Sequence, residues 1–462
     1  MTPRATTAPA AERTTLQPLE RIALLCDEGS LRPLSAPTPL RPIGVVAAEG
    51  RLGGRRVVCY AQDSSIAGGS VGTAEADTVV RALRHAHDHA IPIVAFLESA
   101  GARLQEGAAA LGGFGRIFYE NVRLSTRAPQ ISVITGTSAG GGCYSPALTD
   151  FVVMTRPAAM FLTGPKVVRD AVGEEISMEA LGGPSVHNRN GVCHFVADDD
   201  GAAIELVRDL LGHLTGRSTT FEDGPAQLHA PDPARRLPAA SRSVYDVRDV
   251  ARDVLDGGRF LEVAARWARN IVVGFGRLGG RPVGVVANQP RHLGGVIDVA
   301  ASEKGAGFVR TCDRFRLPLV VLVDTPGFMP GSGQEAAGII RHGAELVRAF
   351  AAATVPRFTV ILRKAYGGAY ITMNSKDLGA DLSLAWPGAE IGIMSPHAAV
   401  QILHRRRLAE ADDRDRLAAE LVDEYQSRHI AVERARDCGL IDGVIEPAAT
   451  RARLREALAV TR

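Results

Sequence analysis

The sequence predicts an α/β chain built from two tandem copies of one layered module. Three observations predict it. Short motifs recur at one fixed spacing, apolar runs of strand length alternate with amphipathic helical stretches, and a Pro-, Ala- and charge-rich segment separates the two copies.

The spacing comes first. GRLGGRRVVCYAQD starts at Gly50 and GRLGGRPVGVVANQP at Gly276, an offset of 276 − 50 = 226. IPIVAFLES carries Pro92 and LPLVVLVDT carries Pro318, again 226 apart. APQISVITGTSAGGG carries Pro129 and VPRFTVILRKAYGGA carries Pro356, 227 apart. Landmarks that keep one offset over about eighty residues are the signature of an internal duplication.

Each copy reads in the same order. A β-hairpin turns at the Gly-Gly pair, because two φ > 0 residues suit the tight turn between paired strands. Helices are expected over 73–89 and 302–315. A short apolar run follows, reading as a buried strand, and then a Gly/Pro loop. Amphipathic helices are expected over 107–125 and 335–352, each leading into a second buried strand that ends in small residues. The segment 215–242, TGRSTTFEDGPAQLHAPDPARRLPAASR, has linker composition. The expected organisation is a leader over 1–17, an N-terminal domain over 18–225 and a C-terminal domain over 226–462.

Composition excludes several classes. A net charge of +2 gives no reason to expect a nucleic-acid partner. The longest apolar runs, such as LPLVVLV at 317–323, are too short to span a bilayer, so no membrane association is expected. The six cysteines form no C-x-x-C pair, which points to a reducing compartment and a cytoplasmic location. The leader lacks the apolar stretch of a secretory signal; it reads as disordered, with a transit peptide as the alternative.

GTSAGGG, residues 136–142, has two incompatible readings. Gly136 to Gly140 matches G-x-S-x-G, the nucleophile elbow of serine hydrolases, with Ser138 as nucleophile. The glycines at 140–142 equally suit a bare turn whose amides face a developing oxyanion. Aligning Pro129 with Pro356 lays Gly140-Gly141-Gly142 over Gly367-Gly368-Ala369 and Ser138 over Ala365. The turn is duplicated and the hydroxyl is not, which favours the backbone reading.

Other motifs resolve as bland. Gly274 to Gly279 matches G-x-G-x-x-G, but the strand-like RPVGVVAN follows where a dinucleotide site needs a helix. His187 and His194 in HNRNGVCH lack an acidic or Cys partner at ligand spacing, so no metal is expected. Arg341-His342 is expected to pack at a helix start, and Arg405–Arg407 to form a solvated face or subunit contact. Glu98 and Asp324, at the ends of equivalent strands, are expected to cap helices or orient loops.

Several longer stretches carry a family resemblance: GARLQEG (101–107), AGGGCYSPALTDFVVM (139–154), VDTPGFMPGSGQE (323–335), GIIRHGAELV (338–347) and VILRKAYGGAYITM (360–373). The chain resembles the carboxyltransferase (β) subunit of biotin-dependent acyl-CoA carboxylases, the propionyl-CoA and acetyl-CoA carboxylase type, from about residue 18 to the end. The resemblance implies two crotonase-like domains and a ring-shaped hexamer whose sites lie between the N-terminal domain of one protomer and the C-terminal domain of another. It implies transfer of CO₂ from carboxybiotin to the α-carbon of an acyl-CoA thioester. Negative charge then develops on a biotin ureido oxygen and on the thioester oxygen. It also implies a partner, the biotin carboxylase/biotin carboxyl carrier (α) subunit, since no A-M-K-M-type biotinylation motif occurs here.

By resemblance, the amides of Gly368 and Ala369 form one oxyanion hole; internal symmetry maps them onto Gly141 and Gly142. The first domain is expected on the CoA side and the second on the biotin side. Ile371 departs from the Asp that propionyl-CoA-preferring members often have there, so it is a candidate specificity residue. The segment after DEGS is shorter than in the family. An acyl-CoA decarboxylase and a specialised-pathway carboxylase stay open as alternatives, with a serine hydrolase more remote.

Overall fold

A computed structural model describes residues 16–34, 42–215, 231–238, 240 and 243–461. Most of the expected leader, and the expected boundary at 225–226, lie outside the described residues. The chain separates into two compact units. The first runs to Pro184 and adds Val196–Val207; the second takes Ser185–Phe195 and everything from Arg208 onward.

In the first unit, Val45–Leu52 and Arg55–Gln62 form an antiparallel hairpin through Gly53 and Gly54, both at positive φ. Arg55–Gln62 then pairs parallel with Ile93–Ser99, which pairs parallel with Gln130–Ala139. Phe151–Thr155 and Ala159–Phe161 both pair parallel with Gln130–Ala139, which therefore lies deep in the sheet. Helix Thr73–His89 buries Ala76, Val79, Val80, Leu83 and Ala86, the i, i+3, i+4, i+7 face of its period. It ends where Ala90 turns left-handed at φ 52°.

The second unit repeats this order. Ile271–Leu278 and Arg281–Asn288 form the hairpin through Gly279 and Gly280. Arg281–Asn288, Leu319–Thr325 and Arg357–Tyr366 follow in parallel register. The G-x-G-x-x-G match therefore ends in a hairpin turn and opens no helix. The duplication extends to irregularities. The parallel register slips between Leu97 and Ser99 in one copy and between Val323 and Thr325 in the other. Beyond each slip, Ser99 pairs with Ser138 and Thr325 with Ala365, the alignment inferred from the prolines.

Two helices differ from expectation. The first helix of the second copy starts earlier, at Val299, because Asp298 caps it by accepting from the Ala301 amide at 2.8 Å. The helix expected over 335–352 breaks in two. Ser332–Ala336 and Ile339–Ala352 are separated at Gly338, whose φ of 81° no continuous helix tolerates.

Candidate active site

Each unit ends its central strand in a glycine turn. In the first, Gln130–Ala139 runs into Gly140 at φ 57°, then a tight 3₁₀ turn over Gly140–Cys143. In the second, Arg357–Tyr366 runs into Gly367 at φ 58°, then a helix over Gly367–Thr372. Side chains rarely adopt this φ, which is why glycine occupies both corners. A Cβ at Gly367 would also stand 3.0 Å from the Ile393 carbonyl oxygen.

At each corner the chain passes from the strand into a helical turn. The leading N–H groups of a helical turn have no intrahelical acceptor, and no side chain caps either turn. Gly141 and Gly142 belong to the first set; Gly368 and Ala369 belong to the second. An aromatic ring lies against each. A Cβ at Gly141 would stand 3.0 Å from the Phe114 ring, and one at Gly368 would stand 3.7 Å from the Phe328 ring. Such rings lower the local polarity, which strengthens any charge–amide interaction there.

The Ser138 hydroxyl faces the wrong way for a nucleophile. The residue is 0% exposed, and its Oγ donates to the Gly142 carbonyl at 3.0 Å. The Cys143 thiol points to the Ser138 and Phe161 carbonyls, both at 3.0 Å. These two side chains brace the turn from inside.

Beside the second turn lies an apolar cleft of about 390 Å³, lined by Phe328, Met329, Ile339, Ile340, Gly343 and Thr372 among others. Ile371, two residues past Ala369, is 49% exposed on the same short helix. Asp324 is buried at the end of its strand. It accepts from the Tyr245 hydroxyl at 2.9 Å, the Arg363 guanidinium at 3.0 Å and the Lys364 amide at 3.2 Å. Burial pushes its carboxyl up, against the pull of Arg363. It thus orients the strand that leads into the turn and caps no helix. Its counterpart Glu98 lies 3.7 Å from Arg21 and packs against Gly136.

The remaining candidates stand apart from these turns or serve packing. His342 lies 3.1 Å from Glu303 and takes a hydrogen bond of 2.9 Å with Arg341. His187 pairs with the Asn190 side chain at 3.3 Å, and burial pushes His194 down to about 4. Among the described residues, no group of three or more His, Cys, Asp or Glu side chains is placed to hold a metal ion. Arg405–Arg407 start a short helix, Arg405–Ala409. No helix among the described residues is long and apolar enough to cross a membrane. Phe114 and Tyr245 belong to no motif, and Phe328 falls within VDTPGFMPGSGQE with nothing there to single it out. Only their place near the glycine turns and Asp324 marks them.

Comparison with known proteins identifies the family. A model of the carboxyl transferase domain matches residues 10–462. The carboxyltransferase subunit of propionyl-CoA carboxylase from Haloferax mediterranei is 45% identical over 456 residues, covering 94% of this chain and 88% of that protein. The methylmalonyl-CoA carboxyltransferase 12S subunit of Propionibacterium freudenreichii subsp. shermanii is 45% identical over 420 residues, covering 90% and 80%. A crystal structure of transcarboxylase 12S, described as a hexamer assembly with methylmalonyl-coenzyme A and methylmalonic acid bound, superposes with a TM-score of 0.91 at 41% identity. It covers 97% of this chain and 90% of that one. With its two glycine turns on duplicated crotonase-like units, the chain belongs to the carboxyl transferase domain family.

Proposed function

We propose that this chain is the carboxyltransferase subunit of a biotin-dependent acyl-CoA carboxylase, and that its two glycine turns are the oxyanion holes of the reaction. The observation that carries the reading is the pair of uncapped turns at equivalent strand ends, with Gly140 at φ 57° and Gly367 at φ 58°.

Carboxybiotin, when bound, supplies CO₂ and a ureido anion able to take the α-proton of the thioester. The donor set of the second unit fits such a group, since backbone amides with no side-chain cap beside an apolar cleft suit a polarised carbonyl-type oxygen. The amides of Gly368 and Ala369 hold charge on the ureido oxygen. The amides of Gly141 and Gly142 hold the thioester oxygen and stabilise the enolate. Each donor is worth about 2.7–4 kcal/mol when aimed at developing charge. The Phe114 and Phe328 rings exclude water from the two turns. No side-chain nucleophile is required, in keeping with the buried Ser138.

Ile371 faces the acyl group and biotin in this reading and sets chain-length preference. The partner is a separate biotin carboxylase/biotin carboxyl carrier subunit. The assembly is a homo-hexamer, and it covers apolar side chains such as Leu104, 89% exposed, and Ile340 and Ile393, each 78% exposed. The protein acts in the cytoplasm.

The test is carboxyl transfer from malonyl-CoA and methylmalonyl-CoA to free biotin, and to a purified biotinylated carrier, by the isolated chain. Biotin-dependent loss of the free carboxylate group from the thioester supports the reading. Equal loss with and without biotin favours a decarboxylase, and hydrolysis of the thioester favours a hydrolase.

A further inference from the structure

We infer that Tyr366, Glu390 and Gln426 form a positioning chain for the second glycine turn, acting through its backbone and not on substrate. The inference rests on the proposed role of that turn. Tyr366 is its N-cap residue, at φ −110° and ψ 142°, so the phenol is attached one residue before the Gly367 corner. The Tyr366 hydroxyl donates to the Glu390 carboxylate. The Gln426 side-chain amide donates to the other Glu390 oxygen at 3.0 Å.

The backbone follows the same route. Glu390 opens the strand Glu390–Gly392, which pairs parallel with Lys364, Ala365 and Tyr366. The next residue, Ile393, supplies the carbonyl against which Gly367 packs. Behind that strand, Gln426 opens a π-helical stretch, Gln426–Ile430, and Ala431 bridges Glu390 in antiparallel fashion. Ile430 packs on Gly392. A single π-helical turn is an irregularity that recurs at functional sites. Here it brings an amide to the carboxylate that holds the turn.

The first unit lacks the device. Ala159–Phe161 pairs with Thr137, Ser138 and Ala139 in the matching register. Ala139 therefore stands where Tyr366 does, and Ala159 where Glu390 does. A fold requirement would appear in both copies; a pair confined to one copy tracks what that turn does. Tyr366 is 3% exposed, and burial raises its hydroxyl far above its ordinary pKa, so the phenol stays a neutral donor at working pH. Its bond to a carboxylate is charge-assisted, the stronger class, and suits a fixed geometry.

The experiment measures transfer from malonyl-CoA or methylmalonyl-CoA to free biotin. Tyr366→Phe keeps the buried ring and removes the donor. Its kcat should fall about tenfold, the scale of a small displacement of catalytic groups, while the KM for the acyl-CoA changes less than about twofold. Its thermal midpoint should stay within about 3 °C of wild type. Glu390→Ala should match that loss, Glu390→Gln should recover most of it, and Tyr366→Phe with Glu390→Ala should lose little more than either alone. Gly368→Pro, which deletes one amide of the turn, separates the two ideas. If it is inactive while Tyr366→Phe turns over like wild type, or if the two single losses multiply, the positioning chain is wrong and the oxyanion reading stands. If Gly368→Pro transfers normally, the oxyanion reading itself falls.

Discussion

Replacing Ser138 with alanine separates a nucleophile from a brace. The residue is fully buried, and its Oγ donates to the Gly142 carbonyl at 3.0 Å. Ser138→Ala removes that donor and leaves a buried acceptor short of a partner, a cost of about 1–2 kcal/mol. In a unit of this size that corresponds to a fall in the thermal midpoint of about 2–8 °C. The amides of Gly141 and Gly142 stay in place, because Gly140 at φ 57° and the Cys143 thiol contacts still shape the turn. The expected kcat/KM for transfer to biotin stays within about threefold of wild type, under 1 kcal/mol of barrier. The assay pairs that rate with a differential scanning measurement and a fluorophosphonate probe, which should not label the protein. A loss of about 10⁴-fold, the scale on which triad members matter, or stoichiometric labelling of Ser138 would refute the argument.

Gly140→Ala and Gly367→Ala form a matched pair. Both place Ala at φ near 58°, a penalty of about 1–2 kcal/mol, but the new Cβ stands 4.0 Å from the Leu162 oxygen in one and 3.0 Å from the Ile393 oxygen in the other. Gly367→Ala should therefore be the less stable in urea titration and lose more transfer activity; equal midpoints would show that the Ile393 contact is irrelevant. Ile371→Asp should shift kcat/KM toward propionyl-CoA relative to acetyl- and butyryl-CoA, by about the 1–3 kcal/mol that one methylene is worth. Unchanged ratios with surviving activity would remove Ile371 from the acyl pocket. His213 is pushed by burial from 6.5 down to about 4, Arg277 adding to the shift, with Asp209 3.6 Å away. The unfolded chain thus binds a proton more readily between pH 6.5 and 4. Stability is full above pH 6.5 and falls by about 3 kcal/mol as pH drops to about 4. His213→Phe should flatten that part of the pH–stability curve, and an unchanged slope would count against it.

The sequence by itself determined the architecture and the two turns. Gly-Gly hairpins, 3.6-residue periodicity and apolar strand runs are local signals, and a duplication multiplies them. The 226–227 offset predicted even the pairing of Ser138 over Ala365, later found as equivalent ladder positions. What only the tertiary structure decided is whatever depends on side-chain direction across elements. The break at Gly338 requires a φ of 81° that the apolar periodicity of 335–352 does not encode. The sequence left open whether Ser138 points out as a nucleophile or in toward Gly142, because that depends on how the turn folds back on its own strand. Glu390 and Gln426 lie 24 and 60 residues beyond Tyr366 and belong to no motif. Only parallel pairing of Glu390–Gly392 with the end of the central strand, and a π-helical turn docked behind it, bring the carboxylate to the phenol and the amide to the carboxylate. Such contacts arise between segments whose local sequences are each satisfied alone, so nothing in either stretch announces the other.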